Sequence, residues 1–145
     1  MFDKQIQFCD RLPDLFNNAI RDAFQENGFV IKEYITQKQL YDLGEDGNKV
    51  RLKGYTRHTI RLKIAKGQPA DRTTLKDRGY FYANITVDAN NEGFIIHSNV
   101  KYDVYLRKKY GKAIYIPSTS NMTEFVNKYV IPSIIEKLSP FLSKD

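Results

Sequence analysis

Side chains that commonly carry out catalysis or bind metals are few in this chain and lie far apart in the sequence. There is one cysteine, Cys9, and the only histidines are His58 and His97. Metal sites gather several such ligands at short spacing, and nucleophilic catalysis needs a base beside the nucleophile. Cys9 falls on the apolar side of a predicted helix, where a free cysteine commonly packs as a small hydrophobic residue. We therefore expect no metal ion, no other cofactor and no enzymatic activity.

The acidic turn from Asp42 to Lys53 is the segment of the sequence that most resembles a cation-binding loop. Asp42 and Asp46 match the first and fifth positions of a calcium-binding loop, and a glycine follows at the sixth. The twelfth position is Lys53 rather than the glutamate that closes such a loop with two oxygens. The glycines of this stretch also lack the spacing of a phosphate-binding loop. We interpret the segment as a solvated turn.

Basic residues form two groups in the sequence, and the net charge is +6. Aromatic neighbours at Tyr55, Tyr105 and Tyr110 have rings that can stack on bases. This pattern fits a nucleic acid or an acidic protein surface as partner, and it also fits a plain solvated face. The two groups are Arg51, Lys53, Arg57, Arg61, Lys63 and Lys66, and then Lys101, Arg107, Lys108, Lys109 and Lys112.

Length and composition indicate one domain, residues 1–145. A chain of 145 residues with 41% hydrophobic content has the size and the apolar fraction of an ordinary globular domain. No apolar run approaches the ~20 residues that span a bilayer. The first residues have neither the basic nor the apolar region of a signal peptide. We expect a soluble protein that is made in the cytoplasm.

Two long amphipathic helices are predicted at the ends of the chain. In residues 2–27 apolar side chains recur at steps of three or four, which is typical of a helix with one buried face. Pro13 predicts either a kink or two consecutive helices, and Asn27-Gly28 predicts the end. The second helix is predicted over Asn121–Lys144, where Asn121 and Glu124 have capping-box spacing.

A β-hairpin is predicted between these helices. Apolar and polar residues alternate over Phe81–Val87, a turn follows at Asp88–Gly93, and Phe94–Ser98 forms the second strand. A short strand is also predicted at Ile114–Ile116. The expected fold class is therefore α+β, with a small antiparallel sheet packed by the long N- and C-terminal helices.

Two shorter helices and one long connection complete the prediction. Residues 57–66 predict a helix that ends at Gly67, with Ile60 and Ile64 on one face and Arg57 and Arg61 on another. Residues 101–110 predict a helix that ends at Gly111. The connection of residues 67–79 is longer than most loops in compact domains, and such loops are often functional. We expect it to reach a neighbouring subunit.

The order of motifs from Tyr55 onward is more specific than any one of them. It runs Tyr55-Thr-x-x-Thr-Ile-x-x-Lys63, then Gly67-Gln-Pro-x-Asp71-Arg-x-Thr-Leu75-x-Asp77-x-Gly79-x-Phe81, and after the hairpin Ser98-Asn-x-x-Tyr102-x-x-Tyr105-Leu and Lys109-Tyr-Gly111. This order resembles the minor-tail or tail-completion proteins of phages and prophages, which assemble at the head–tail junction. That family has an Asp-Thr-Gly turn before a strand pair, then a Tyr-containing helix that ends near a glycine. Here Arg78 replaces the threonine, so a contact through its hydroxyl would be lost, while Gly79 can still adopt positive φ.

The resemblance implies a structural, non-enzymatic protein of the virion, located in the neck or tail and made in the host cytoplasm. It implies a homo-oligomeric ring that joins head or portal to tail through other neck, portal or tail proteins. DNA would pass nearby with at most incidental contact, and no membrane is involved. The leading alternative is a small basic nucleic-acid-binding module, and an uncharacterised enzyme is the third. The residues expected at the interface are Arg57, Arg61, Asp77, Gly79, Tyr102, Tyr105, Lys108 and Lys109.

Overall fold

A computed structural model describes residues 2–90 and 93–142, with side chains over 10–90 and 93–141. The prediction for Cys9 lies outside the described side chains. Helices dominate the N-terminal and C-terminal parts, and a hairpin lies between them. The elements are α1 (Phe2–Glu26), α2 (Gly28–Glu33), a π-helical segment (Tyr34–Leu43), α3 (Arg57–Ala65), α4 (Tyr80–Ala83), β1 (Ile85–Asn90), β2 (Gly93–Ser98), α5 (Asp103–Tyr110), a 3-10 turn (Lys112–Tyr115), α6 (Thr119–Phe125), a second π-helical segment (Val126–Val130) and α7 (Ile131–Leu142).

The predicted α+β fold is confirmed, because the hairpin packs against both the N-terminal and the C-terminal helices. Three aromatic rings join these elements. The ring of Phe24 in α1 stacks on Phe94 of β2 with centroids 4.6 Å apart, and it lies 5.3 Å from Phe125 of α6. Phe125 is fully buried. Burial of large aromatic side chains stabilises such a core strongly.

The hairpin is antiparallel, but its first strand begins later than predicted. β1 pairs with β2 from Ile85 opposite Ser98 to Asn90 opposite Gly93, so much of the predicted turn is strand. Residues 91 and 92 of that turn lie outside the described residues. The predicted strand start at Phe81 is wrong, because Tyr80–Ala83 forms the helical turn α4. Phe81 and Tyr82 are both buried, whereas neighbouring residues of a strand point to opposite faces.

Two further predictions for the C-terminal half are wrong. Ile114–Ile116 does not form a strand, because Lys112–Tyr115 is a 3-10 turn that buries Ile114. The C-terminal helical run begins before Asn121, and its N-cap is Ser118, whose Oγ accepts a hydrogen bond from the Asn121 backbone N–H at 3.3 Å. A serine oxygen there satisfies a free N–H of the first turn, so the predicted capping box is not used.

The N-terminal helix passes Pro13 as one element, so the alternative of two consecutive helices is wrong. Its predicted end at Asn27 is confirmed. Both the backbone N–H and the side-chain amide of Asn27 donate to the Ala23 carbonyl, at 3.1 and 2.9 Å, where the helix ends. Gly28 does not adopt positive φ and instead begins α2.

The connection between α3 and α4 is held to the rest of the protein by its central residues. Thr73 and Thr74 at its centre are buried. The Thr73 hydroxyl donates to the Lys53 carbonyl at 2.6 Å, and the Thr74 backbone N–H donates to the Tyr55 hydroxyl at 3.0 Å. The Tyr82 hydroxyl donates to the Thr74 carbonyl. Residues 73 and 74 therefore belong to the interior, while residues 71, 77 and 78 of the same connection are exposed, and a contact of the connection with a neighbouring subunit stays a prediction.

Replacing Gly47 with alanine is expected to lower the free energy of unfolding by about 1–3 kcal/mol, as overpacking commonly does. Gly47 donates its N–H to the Ala113 carbonyl at 2.9 Å, and an added Cβ would lie 2.1 Å from the Ile116 carbonyl oxygen. Gly54 is the matched control, because nothing lies within 4 Å of its added Cβ. Urea unfolding measures both variants. Equal midpoints would show that the Gly47 contact is unimportant.

Glu124 joins α6 to the first π-helical segment and gives stability a defined pH dependence. Hydrogen bonds from Lys128 and Lys38 lower the pKa of Glu124 to about 2 from its usual 4.5. The native state therefore holds the charged carboxylate more strongly than the unfolded chain does. Its contribution is complete above pH 4.5 and is lost as the pH falls towards 2. Glu124→Gln should lower Tm at pH 7 but not at pH 2, and a difference that persists at pH 2 would contradict this origin.

Candidate functional site

Helix α3 buries a lysine and exposes two apolar residues, which is the reverse of a usual surface helix. Lys63 is 8% exposed, whereas Leu62 is 48% and Ile64 is 65% exposed. Surface helices normally bury an apolar stripe and leave charged residues in water. α3 starts at the N-cap Thr56, whose hydroxyl accepts the Thr59 backbone N–H at 3.3 Å. The helix therefore presents apolar side chains to solvent.

Lysine side chains hold the inner side of α3 against the connection that follows it. Lys63 Nζ donates to the Lys76 carbonyl and lies 5.2 Å from the centre of the Tyr55 ring. Lys66 Nζ lies 2.8 Å from Asp77 Oδ1. The hydrogen bond from Lys66 lowers the pKa of Asp77. These contacts explain why Lys63 faces inward although it is charged.

Arg57 and Arg61 lie on the outer side of α3, as predicted, and are exposed. They form no ion pair with the described part of the chain. Ile64 follows them at steps of four and three, so all three residues share one side of the helix. The prediction that Ile64 occupies a different face from the two arginines is wrong. Leu62 is also exposed, about 100° further round the helix from Arg61; Arg57, Arg61, Leu62 and Ile64 are hereafter the α3 surface.

Helix α5 is attached through Asp103 and through Leu106 and Tyr110, which pack against the core, and it exposes its other side. Asp103 Oδ2 accepts from Arg107 Nε at 2.8 Å, and Asp103 Oδ1 accepts from the Tyr115 hydroxyl. Burial and the Asp103 carboxylate raise the pKa of Tyr115. α5 buries none of its own residues. Arg107 is therefore used inside the fold, while its neighbours remain available.

The outer side of α5 also combines basic and apolar side chains. Val104 is 67% and Tyr105 is 73% exposed. Lys108 and Lys109, one turn further along, are exposed as predicted, and Lys109 Nζ lies 5.2 Å from the centre of the Tyr110 ring. Val104, Tyr105, Lys108 and Lys109 are hereafter the α5 surface.

A pocket of about 350 Å³ brings together three of the predicted interface residues, Asp77, Gly79 and Tyr102. Gly79 has φ +87°, so the predicted positive-φ turn is confirmed, although it leads into α4 rather than a strand. Arg57, Arg61, Tyr105, Lys108 and Lys109 lie outside this pocket. The full lining is Tyr55, Lys63, Leu75, Lys76, Asp77, Arg78, Gly79, Tyr80, Phe81 and Tyr102.

Sequence reasoning missed the apolar members of these surfaces and the burial of Lys63. It grouped Lys63 with the exposed basic residues and gave no role to Leu62 or Val104. The available signal was the step from Arg61 to Ile64, which places an isoleucine in line with basic residues. Which side of a short helix is buried depends on what packs against it. Tyr55 and Lys76, which contact Lys63, both lie outside α3, so the pattern of the helix itself does not indicate them.

His97 makes the contacts nearest to those of a catalytic group. Its Nε2 lies 2.6 Å from Asp88 Oδ2 and 2.9 Å from Thr86 Oγ1. A catalytic triad binds its acid and its nucleophile through opposite ring nitrogens, whereas both partners here contact the same nitrogen. Within residues 2–90 and 93–142, no group of three metal-ligating side chains comes together.

Comparison with known proteins identifies no relative. No protein-family model matches the chain, and neither a curated protein nor a solved structure matches it. None of the helices in the described part of the chain has the length and apolar character needed to cross a membrane.

Proposed function

We propose that this protein is a structural subunit of a phage or phage-like particle and acts at the head–tail junction. In this proposal it forms a ring in the neck or at tail completion and joins the head or portal to the tail. The observation that carries the proposal is the exposed apolar residues beside unpaired basic residues on α3 and α5. The motif order from Tyr55 to Gly111, which resembles tail-completion proteins, supports it independently.

The two surfaces suit contacts in a ring. Apolar side chains grouped on a protein surface and flanked by polar residues are typical of protein–protein interfaces. A ring needs two different patches on each subunit, one meeting the other on the next copy or on an adjoining protein. The α3 surface and the α5 surface lie on separate helices and supply two such patches. Arg57, Arg61, Lys108 and Lys109 would meet acidic protein surfaces, with at most incidental contact to DNA.

A small nucleic-acid-binding module is the second candidate, and one observation favours it. The ring of Tyr105 is 73% exposed and belongs to the same helix as Lys108 and Lys109. An exposed aromatic ring near cations suits base stacking beside a phosphate backbone. In this alternative the α5 surface would bind DNA or RNA directly.

Reversing the four basic residues of the two surfaces, Arg57, Arg61, Lys108 and Lys109, to glutamate tests the first candidate. The wild-type chain should sediment as a discrete multi-copy species, and the reversed variant should sediment as a monomer. The melting temperature should change little, because exposed charges contribute about 0–1 kcal/mol each. Analytical ultracentrifugation and thermal unfolding measure the two effects.

Duplex DNA binding, measured by filter retention over a range of salt, separates the candidates. A nucleic-acid module that neutralises several phosphates loses affinity steeply as salt rises. A wild-type monomer with such salt-dependent binding, which the four reversals abolish, would replace the first candidate with the second. If the variant with the four reversals still sediments as a multi-copy species, the four basic residues do not contribute to the interface.

A further inference from the structure

The pocket between α3 and Tyr102 carries more basic than acidic groups. Lys63, Lys76 and Arg78 line it, against the single carboxylate of Asp77. That carboxylate is already paired with Lys66 at 2.8 Å. The lining therefore has an excess of positive charge, because its one carboxylate is paired with Lys66, which is not one of the lining residues.

Lys63 is a buried cation with no carboxylate at ion-pair distance among the described residues; its charge helps to lower the pKa of Asp77, but that carboxylate is paired with Lys66. Its side chain is mostly removed from water, and its Nζ hydrogen-bonds the neutral Lys76 carbonyl. None of the described carboxylates forms an ion pair with it. Burying an ammonium group is costly unless an opposite charge compensates it, and the Tyr55 ring at 5.2 Å offsets only part of that cost. A bound anion would supply the missing charge.

Arg78 is the second basic group available in the pocket. It is exposed and makes no hydrogen bond or ion pair to the described part of the chain. Lys76 is less available, because its Nζ lies over the Tyr41 ring at 5.0 Å. The guanidinium group binds phosphate oxygens through two parallel N–H donors, and a lysine adds a point charge. Arg78 and Lys63 both line the pocket and supply these two kinds of donor.

We propose that this pocket binds a phosphate group between Lys63 and Arg78. A phosphate monoester carries about −1.5 to −2 charges at pH 7, which matches two cations better than the single charge of a carboxylate does. The volume of about 350 Å³ lies in the range of small-molecule sites, about 300–1,000 Å³. The phosphate is either inorganic or part of a nucleotide whose base stacks on the exposed rings of Tyr80 or Tyr102. This site is independent of the connector function.

Arg78→Gln is the principal test, because Arg78 makes no contact that folding needs. Inorganic phosphate is titrated into the whole protein in low-salt buffer, and backbone amide shifts are followed by NMR. The wild type should show saturable shifts at residues 76–80. Arg78→Gln should weaken binding about tenfold, the usual effect of losing a charged hydrogen bond. Arg11→Gln removes the same charge from an exposed position on α1 and should leave the affinity unchanged.

Further ligands identify the source of the phosphate. Adenosine monophosphate that binds more tightly than phosphate, with the gain lost in Tyr102→Ala, indicates a nucleotide. Equal affinities indicate free phosphate. Lys63→Met should also abolish binding if its amide spectrum shows that it folds. Shifts that do not saturate, equal weakening by Arg11→Gln, or acetate binding as tightly as phosphate would each overturn the proposal.

Discussion

Replacing Phe125 with alanine is expected to lower the free energy of unfolding by about 3–5 kcal/mol, the range for large aromatic residues in cores. Phe125 is fully buried. Its ring lies 5.3 Å from Phe24 of α1 and 5.5 Å from Tyr129. The truncation would leave a cavity where the N-terminal helix, the hairpin and the C-terminal helices meet, because Phe24 also stacks on Phe94.

Urea unfolding, followed by near-ultraviolet circular dichroism, measures this effect. Phe29→Ala is the matched control, since Phe29 is exposed on α2 and such substitutions usually change stability by no more than about 0.5 kcal/mol. A domain holds only about 5–15 kcal/mol in total, so Phe125→Leu provides a milder second variant. Equal unfolding midpoints for Phe125→Leu and the wild type would contradict the central role of this ring.

The elements that the sequence predicted well are those with long periodic patterns. The N-terminal helix and the C-terminal helical run each carry a repeated apolar stripe, and Phe24 and Phe125 lie on those stripes. A stripe that recurs over many turns has only one side that can be buried. The glycines at 67, 79 and 111 were also predictable, because all three adopt positive φ and few other residues do so readily.

The elements that the sequence predicted wrongly are short and depend on distant contacts. Phe81 and Ala83 alternate with polar residues as in a strand, yet the Tyr82 hydroxyl donates to the Thr74 carbonyl within a helical turn. Asn121 and Glu124 have the spacing of a capping box, but Ser118 caps the helix. In the first case a contact outside the segment outweighs a local preference, as it often does in short segments. In the second, the Asn121 side-chain amide donates to Gln39 Oε1 at 2.9 Å instead of acting as a cap.

Of the two surfaces, the sequence predicted the basic residues and Tyr105 but not the aliphatic residues. Charged side chains are mostly exposed, so Arg57, Arg61, Lys108 and Lys109 were correctly predicted to be exposed. Leu62 and Val104 were given no surface role, because apolar residues at helical spacing usually face the interior. α3 departs from this rule since Lys63 faces inward to reach a backbone carbonyl. Local periodicity contains no information about such a partner.

Replacing Leu62 and Ile64 together with glutamine is expected to abolish self-association while leaving the fold intact. Both side chains are largely exposed on the α3 surface, so neither contributes to the core and the free energy of unfolding should change by about 0.5 kcal/mol or less per site. In a subunit contact the same side chains would be buried, and each would stabilise the contact by roughly 1.5–3 kcal/mol. Two such losses weaken association by at least about a hundredfold.

Sedimentation velocity over a range of concentrations measures the association, and thermal unfolding reports on the fold. The control replaces Phe29 and Val50, which are equally exposed on other parts of the protein, with glutamine. Both variants lose two exposed apolar side chains, so a general gain in solubility would affect them alike. Only the α3 variant should become monomeric if the inverted orientation of this helix serves assembly. If both variants associate like the wild type, the α3 surface is not a subunit contact, and the exposed leucine and isoleucine require a different partner.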